Sequence, residues 1–345
     1  MPYFFVVVNS RVRRCLFFSM LPQFYTAPIY QNKIKTLPIE LFELEKIRTL
    51  DVQINDIAQL PEELGNLKNL VVLSISDNKI EVLPESIGSL QSLEVFFARS
   101  NRIKQLPDGL FELYKLQQLR LEDNQLESIP SKIGKLTNLE VLFIGYNKIG
   151  YLPESIGNLT NLIELSATAA LLFQLPNSLE MLSKLEFLHI ENNYISELPS
   201  SIGGLRSLRY LGARNNNIEK ISESIGNLRE MKILNLSINK IRDLPFSFYR
   251  LNALEVLLLS RNKFYSFPSV LTDLTNLRKL DISSNKISSI TFFIYRLNNL
   301  EELDISSNKL YSLPKEIKKL KNLKKLTLYG NDIPWEVEKS FRIRN

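Results

Sequence analysis

Apolar residues recur along this chain in one frame. With a repeating Asn taken as position 9 of a 23-residue unit, apolar side chains fall at positions 1, 4, 6, 11, 14, 18 and 21, as in Leu70, Leu73, Ile75, Ile80, Leu83, Ile87 and Leu90 around Asn78. Positions 1 to 6 alternate with polar residues, the pattern of a short half-buried strand. The Asn stands at 32, 55, 78, 101, 124, 147, 193, 216, 239, 262, 285, 308 and 331, with Ala170 the one exception and no insertion or deletion. A fixed period of this length predicts a solenoid. Strands that recur in one direction stack as a parallel sheet, because each connection returns the chain to its start. Pro follows position 14 in most units, from Pro38 to Pro314. It fixes φ and removes a donor, which suits a return segment outside the sheet. Gly at position 19 (Gly65, Gly88, Gly134, Gly157, Gly203, Gly226) suits a turn that needs either positive φ or close backbone approach.

Seven apolar side chains per unit, each worth about 1.5–3 kcal/mol when buried, cannot be buried within 23 residues. Burial between neighbours predicts one continuous curved stack: an α/β solenoid with a parallel sheet lining its concave face and short helical or 3₁₀ return segments on the convex side. Fourteen strands about 4.8 Å apart would give a concave edge of roughly 65 Å. The repeats fill residues 24–345, the last acting as a C-terminal cap. There Asp332 and Pro334 suit a helix start, and Trp335 with Phe341 could cover the open core.

Residues 1–23 are the least regular. Tyr3 to Val8 is strand-forming but too short for a membrane span. One reading is a degenerate capping repeat: Asn9 lies one period before Asn32, and Phe4, Val6, Phe18 and Leu21 fall on core positions, although Arg11 and Arg14 break the pattern. The other is a targeting segment, with Arg11, Arg13 and Arg14 as its charged region and Cys15 to Leu21 as its apolar core. Against that, the charge follows an apolar run, and Pro28 comes directly after Ala27, the only plausible cleavage point.

The pattern Leu-x-x-Leu-x-Leu-x-x-Asn-x-Leu resembles that of leucine-rich repeat proteins. The version in Leu83-Pro84-Glu85-Ser86-Ile87-Gly88-Ser89-Leu90 is similar to that of intracellular Ras-associated scaffolds. The resemblance implies a buried Asn ladder that bonds backbone groups of the adjacent turn. It further implies a cytoplasmic signalling role with a partner such as a small GTPase or phosphatase; a secreted recognition or effector protein is the alternative. Ala170 departs from the pattern, with Leu171 in place of the usual Lys, Arg or Asp. It is either a contact or flexing point or plain drift with one lost ladder bond, and residues 162–184 are expected to exchange amide protons faster than their neighbours.

Composition narrows the chemistry. The 44 % hydrophobic and 23 % charged content is that of a folded soluble chain. The net charge of +6 resolves into +4 over residues 1–50, +5 over residues 315–345 and −3 between. Two basic ends are not a nucleic-acid groove, and the lysines of residues 315–325 alternate with core positions as a solvated rim. Cys15 is the only cysteine and His189 the only histidine. No internal disulfide and no Cys/His zinc site can form, and a reducing compartment fits. Phosphate-loop and dinucleotide motifs are lacking. Asp281 and Asp304 are read as pointing singly to solvent. The expectation is a non-enzymatic, monomeric, cofactor-free protein without stable membrane insertion. The sequons at Asn158 and Asn235 are of the kind chance supplies in an Asn-rich chain.

Positions 3, 5, 7 and 8 are free of the core. Toward the C-terminus they carry Asp and Ser, but in the middle they carry Phe97, Arg99, Arg120, Glu122, Phe143 and Tyr146, then Phe187, His189, Glu191, Tyr210 and Arg214. Aromatic and Arg side chains dominate binding hot spots, and this cluster on the concave face is the candidate protein-binding site.

Overall fold

The computed structural model describes residues 26–341, in two compact units, one ending at Leu171 and the next beginning at Leu172. Both readings of residues 1–23, and Cys15 with them, lie outside the described residues.

In the unit ending at Leu171, seven three-residue strands run from Thr26–Pro28 to Glu164–Ser166, all parallel, each residue paired with the one 23 further on, as Phe96 is with Leu119. The strands occupy positions 3 to 5, with position 4 inside: Leu50, Leu73, Phe96, Leu119 and Leu142 are all at most 1 % exposed. The unit beginning at Leu172 repeats this with seven strands from Phe187–His189 to Lys325–Thr327. It adds one minor parallel pair, Glu197–Leu198 with Lys220–Ile221.

After each strand the chain turns at position 8, which sits in the left-handed region whatever its side chain: Asp123 at φ 57°, Tyr146 at 54°, Ile54 at 56° and Ile238 at 56°. The turn aims the following Asn inward, and the ladder forms as the resemblance implied. Asn124 Oδ1 accepts the Ile103 N–H at 3.0 Å, and its Nδ2 donates to the Ala98 carbonyl at 2.9 Å and the Leu121 carbonyl at 3.0 Å. Asn239 holds Ile218, Ala213 and Leu236 in the same way. These buried backbone groups are thus satisfied by side chains where the strand ladder has ended.

At Ala170 the rung is rebuilt from backbone. The Ala170 carbonyl accepts the N–H groups of Ile149 and Gly150, both at 3.1 Å, and the Ile149 carbonyl accepts from Tyr151 N–H at 2.8 Å. Gly150 at φ 72° and Leu171 at φ 62° absorb the change. The acceptor half of the rung is therefore replaced, where sequence pointed to a lost bond. The Ile144 carbonyl keeps the Asn147 amide at 3.0 Å.

The return segments are five-residue 3₁₀ turns such as Glu85–Ser89, entered from Pro84. Where Ser222 and Thr291 replace the Pro, each hydroxyl accepts an N–H two residues on, from Ser224 and Phe293, at 3.3 Å. The position-19 glycines do not take positive φ. A Cβ on Gly65 would stand 2.7 Å from the Ser86 carbonyl oxygen, so close approach is what requires the glycine. A second, exposed Asn ladder at position 23 escaped the sequence reading; Asn138 Nδ2 donates to the Tyr114 carbonyl at 2.6 Å. At the C-terminal end a helix spans Trp335–Ser340. Phe341 is 9 % exposed, but Trp335 is 58 % exposed with Lys339 over its ring. Six residues apart, the two lie about 120° apart around a helix, and only Phe341 faces inward.

Candidate protein-binding face

The strand register decides which outward side chains meet. In the unit ending at Leu171, position 5 places Phe97 directly opposite Arg120, and Arg120 opposite Phe143. The Arg120 guanidinium carbon lies 5.1 Å from the Phe97 ring centre and 4.7 Å from that of Phe143. All three side chains are half-buried. Each contact of this kind contributes about 0.5–2 kcal/mol, and together they hold a long cationic side chain in one place. Arg120 Nε is buried without a hydrogen-bond partner.

Two residues further along the same strand, Glu122 is half-buried and its Oε2 likewise has no partner. Burial pushes its carboxyl above the usual range, opposed by its own backbone N–H and by the charges of Arg120 and Arg99. Arg99 is exposed, and Tyr146, at 58 % exposure, stands on the left-handed turn. The face therefore offers a fixed apolar–cationic strip beside a carboxylate that burial leaves under-solvated. Leaving a buried polar atom unpaired costs about 1–3 kcal/mol, which a partner group would relieve.

The unit beginning at Leu172 carries a different arrangement. The His189 and Tyr210 rings meet at a 35° tilt with centres 4.7 Å apart, the Tyr210 hydroxyl donates to Glu191 Oε1 at 3.1 Å, and His189 Nδ1 lies 3.9 Å from the same oxygen. Burial first, then the Glu191 charge and hydrogen bond, push the Tyr210 phenol up to about 12. Sequence reasoning missed Gly212. A Cβ there would fall 1.8 Å from Glu191 Oε1 and 2.8 Å from the Tyr210 hydroxyl, so the missing side chain makes the room. A glycine at strand position 5, between His189 and Asn235, was the available signal. Phe187 (37 % exposed) and Arg214 lie on the same unit, outside this trio. Because the trio's polar atoms engage each other, this surface is more self-contained than the Phe97–Arg120–Phe143 strip.

Asp281 and Asp304 correct the sequence reading. Both are half-buried, and each Oδ1 accepts the backbone N–H at 3.0 Å and the hydroxyl at 2.6 Å of the Ser two residues on, Ser283 and Ser306. Short Asp side chains bond their own backbone readily at turns. Asn235 uses its amide similarly, accepting from Ser237 N–H at 3.1 Å. Among the described residues no group of three or more His, Cys, Asp or Glu is placed to hold a metal ion, and no helix is long and apolar enough to cross a membrane.

The model of a leucine-rich repeat region matches residues 97–171 and 201–307, and further leucine-rich repeat models match residues 45–103, 184–205 and 299–320. No curated protein sequence matches the chain. Among solved structures, a leucine-rich repeat protein of Leptospira interrogans is 33 % identical with a TM-score of 0.85, over 90 % of this chain and 79 % of that one. The plant peptide hormone receptor RGFR1, in complex with RGF2, is 30 % identical with a TM-score of 0.73, over 87 % of this chain and 54 % of the receptor, so the chain spans about half the receptor's length. An internalin of Listeria monocytogenes is 25 % identical with a TM-score of 0.70, over 92 % and 84 % of the two chains.

Proposed function

The chain belongs to the leucine-rich repeat family, a fold of protein–protein interaction modules, and from that premise we propose that it is a non-enzymatic scaffold that binds a protein partner on the strand face of the unit ending at Leu171. The observation that carries this reading is the Phe97–Arg120–Phe143 strip. Folding has no use for two half-exposed phenylalanines on a solvated sheet face, and the rings hold the guanidinium ready, so little rotamer entropy remains to be lost on binding. An apolar partner side chain lies across the rings. A cationic one meets Glu122, whose carboxylate then ionises at lower pH.

The 23-residue Leu-Pro-x-x-Ile-Gly repeat supports a cytoplasmic signalling partner, a small GTPase or phosphatase, and a monomeric scaffold. Similarity to a peptide hormone receptor and to an internalin supports the second reading, a secreted or surface-exposed recognition protein using the same face. The two are separated by where the protein resides in its own cells. Both are tested by the affinity of a captured partner for Phe97→Ala/Arg120→Ala. The double variant is expected to lose at least about 2 kcal/mol, close to thirtyfold in Kd. Unchanged affinity would place binding elsewhere.

A further inference from the structure

The 3₁₀ turns of the unit beginning at Leu172 are not interchangeable. Their first position carries Glu223 in one repeat but Phe246 and Phe292 in others, 75 % and 56 % exposed, and Phe293 follows at 42 %. The core does not use these rings. Phe248 and Ile294, two residues further along in each turn, fill it and are fully buried. The exposed rings associate with one another and with tyrosine: Phe292 and Phe293 have centres 4.0 Å apart, and Phe246 and Tyr249 5.1 Å.

Cations lie over neighbouring rings. Arg250 lies over Tyr249 at 5.4 Å, Lys319 over Tyr295 at 5.3 Å, and Lys318 over Phe341 at 4.9 Å. The carboxylates beside these turns are engaged: Glu223 accepts the N–H groups of Phe246 and Ser247 at 3.0 and 2.9 Å, Asp273 pairs with Arg296 at 2.9 Å, and Glu316 lies 3.8 Å from Lys319. Exposed phenylalanines, tyrosines, lysines and arginines on these turns form one set of chemistries. It matches the boundary of an anionic bilayer, where rings enter the acyl margin and long cationic side chains reach headgroup phosphates and carboxylates. We propose that this 3₁₀ face, over residues 246–319, docks peripherally on an anionic lipid surface. The contact is independent of the strand face.

The full chain is mixed with phosphatidylserine–phosphatidylcholine vesicles or with phosphatidylcholine vesicles, and partition is read by sedimentation. Partition into the anionic vesicles is expected to be at least about tenfold the stronger and to weaken with salt. Phe246→Ser/Phe292→Ser/Phe293→Ser is expected to lose at least about tenfold, with circular dichroism confirming an intact fold. Phe97→Ala/Arg120→Ala should bind vesicles as wild type does. No partition of wild type, equal partition of the triple variant, or equal partition into both vesicle types would overturn the proposal. So would a concentration-dependent dimer that the triple variant abolishes, which would assign the rings to a second copy of this chain.

Discussion

Replacing Asn124 by Ala tests the physical basis of the repeat. The side chain accepts from Ile103 N–H and donates to the carbonyls of Ala98 and Leu121. Both carbonyls keep another donor, since Asn101 Nδ2 bonds Ala98 at 3.3 Å and Asn147 Nδ2 bonds Leu121 at 2.9 Å. The loss therefore falls on one buried donor, the Ile103 amide, at about 1–3 kcal/mol. A small cavity adds roughly 1 kcal/mol, giving a total near 2–4 kcal/mol. The natural Ala170 repeat avoids this through the backbone exchange at Gly150 and Leu171. The Asn124 repeat has Lys104 and Gln125 at the corresponding positions, neither in the left-handed region, and cannot copy it cheaply. Hydrogen exchange at the Ile103 amide, with denaturant unfolding alongside, reads the effect directly. Exposed Asn138→Ala serves as control and is expected to cost under about 1 kcal/mol. An Ile103 amide as protected in Asn124→Ala as in wild type would refute the reasoning.

Absorbance titration is expected to show the Tyr210 phenol ionising near pH 12. Its folded value lies above the unfolded one of about 10, so its contribution to stability is complete below pH 10 and is lost as pH rises through 12; Tyr210→Phe should remove both the late-titrating phenol and that pH dependence. Glu122→Gln should match wild type in acid and become the more stable as pH rises through and above the usual carboxylate range, because ionising a buried carboxyl opposes folding. Melting curves that stay parallel across that range would disprove it. Ile54 holds φ 56° with a branched side chain 47 % exposed. Ile54→Asn is expected to stabilise by about 0.5–1 kcal/mol, and a lowered melting temperature would count against the strain argument.

How much of this was legible follows from what the period constrains. Equal spacing forces position 5 of successive repeats into register, so the meeting of Phe97, Arg120 and Phe143 is implicit in three residue numbers. The inward Asn was legible only through the resemblance to leucine-rich repeat proteins. The left-handed position 8 was not, because Tyr146, Ile54, Ile238 and Arg261 occupy it as well as Asn192, Asn215 and Gly330; closure of the repeat imposes the conformation even on side chains that disfavour it. The Tyr210–Glu191 bond was hidden because it depends on an absent Cβ at Gly212. The repair at Ala170 was hidden because it is made by backbone and not by the substituted side chain. The aromatic 3₁₀ turns were visible as letters, but their exposure depended on Phe248 and Ile294 filling the core first.

The central claim is that a partner binds the strand face of the unit ending at Leu171, and an exchange footprint of the complex tests it most directly. With partner bound, slowed deuterium uptake is predicted over residues 95–99, 118–122 and 141–146, leaving the 3₁₀ turns of that unit unchanged. Protection confined to those turns, with the three strand segments exchanging as in the free protein, would contradict the account.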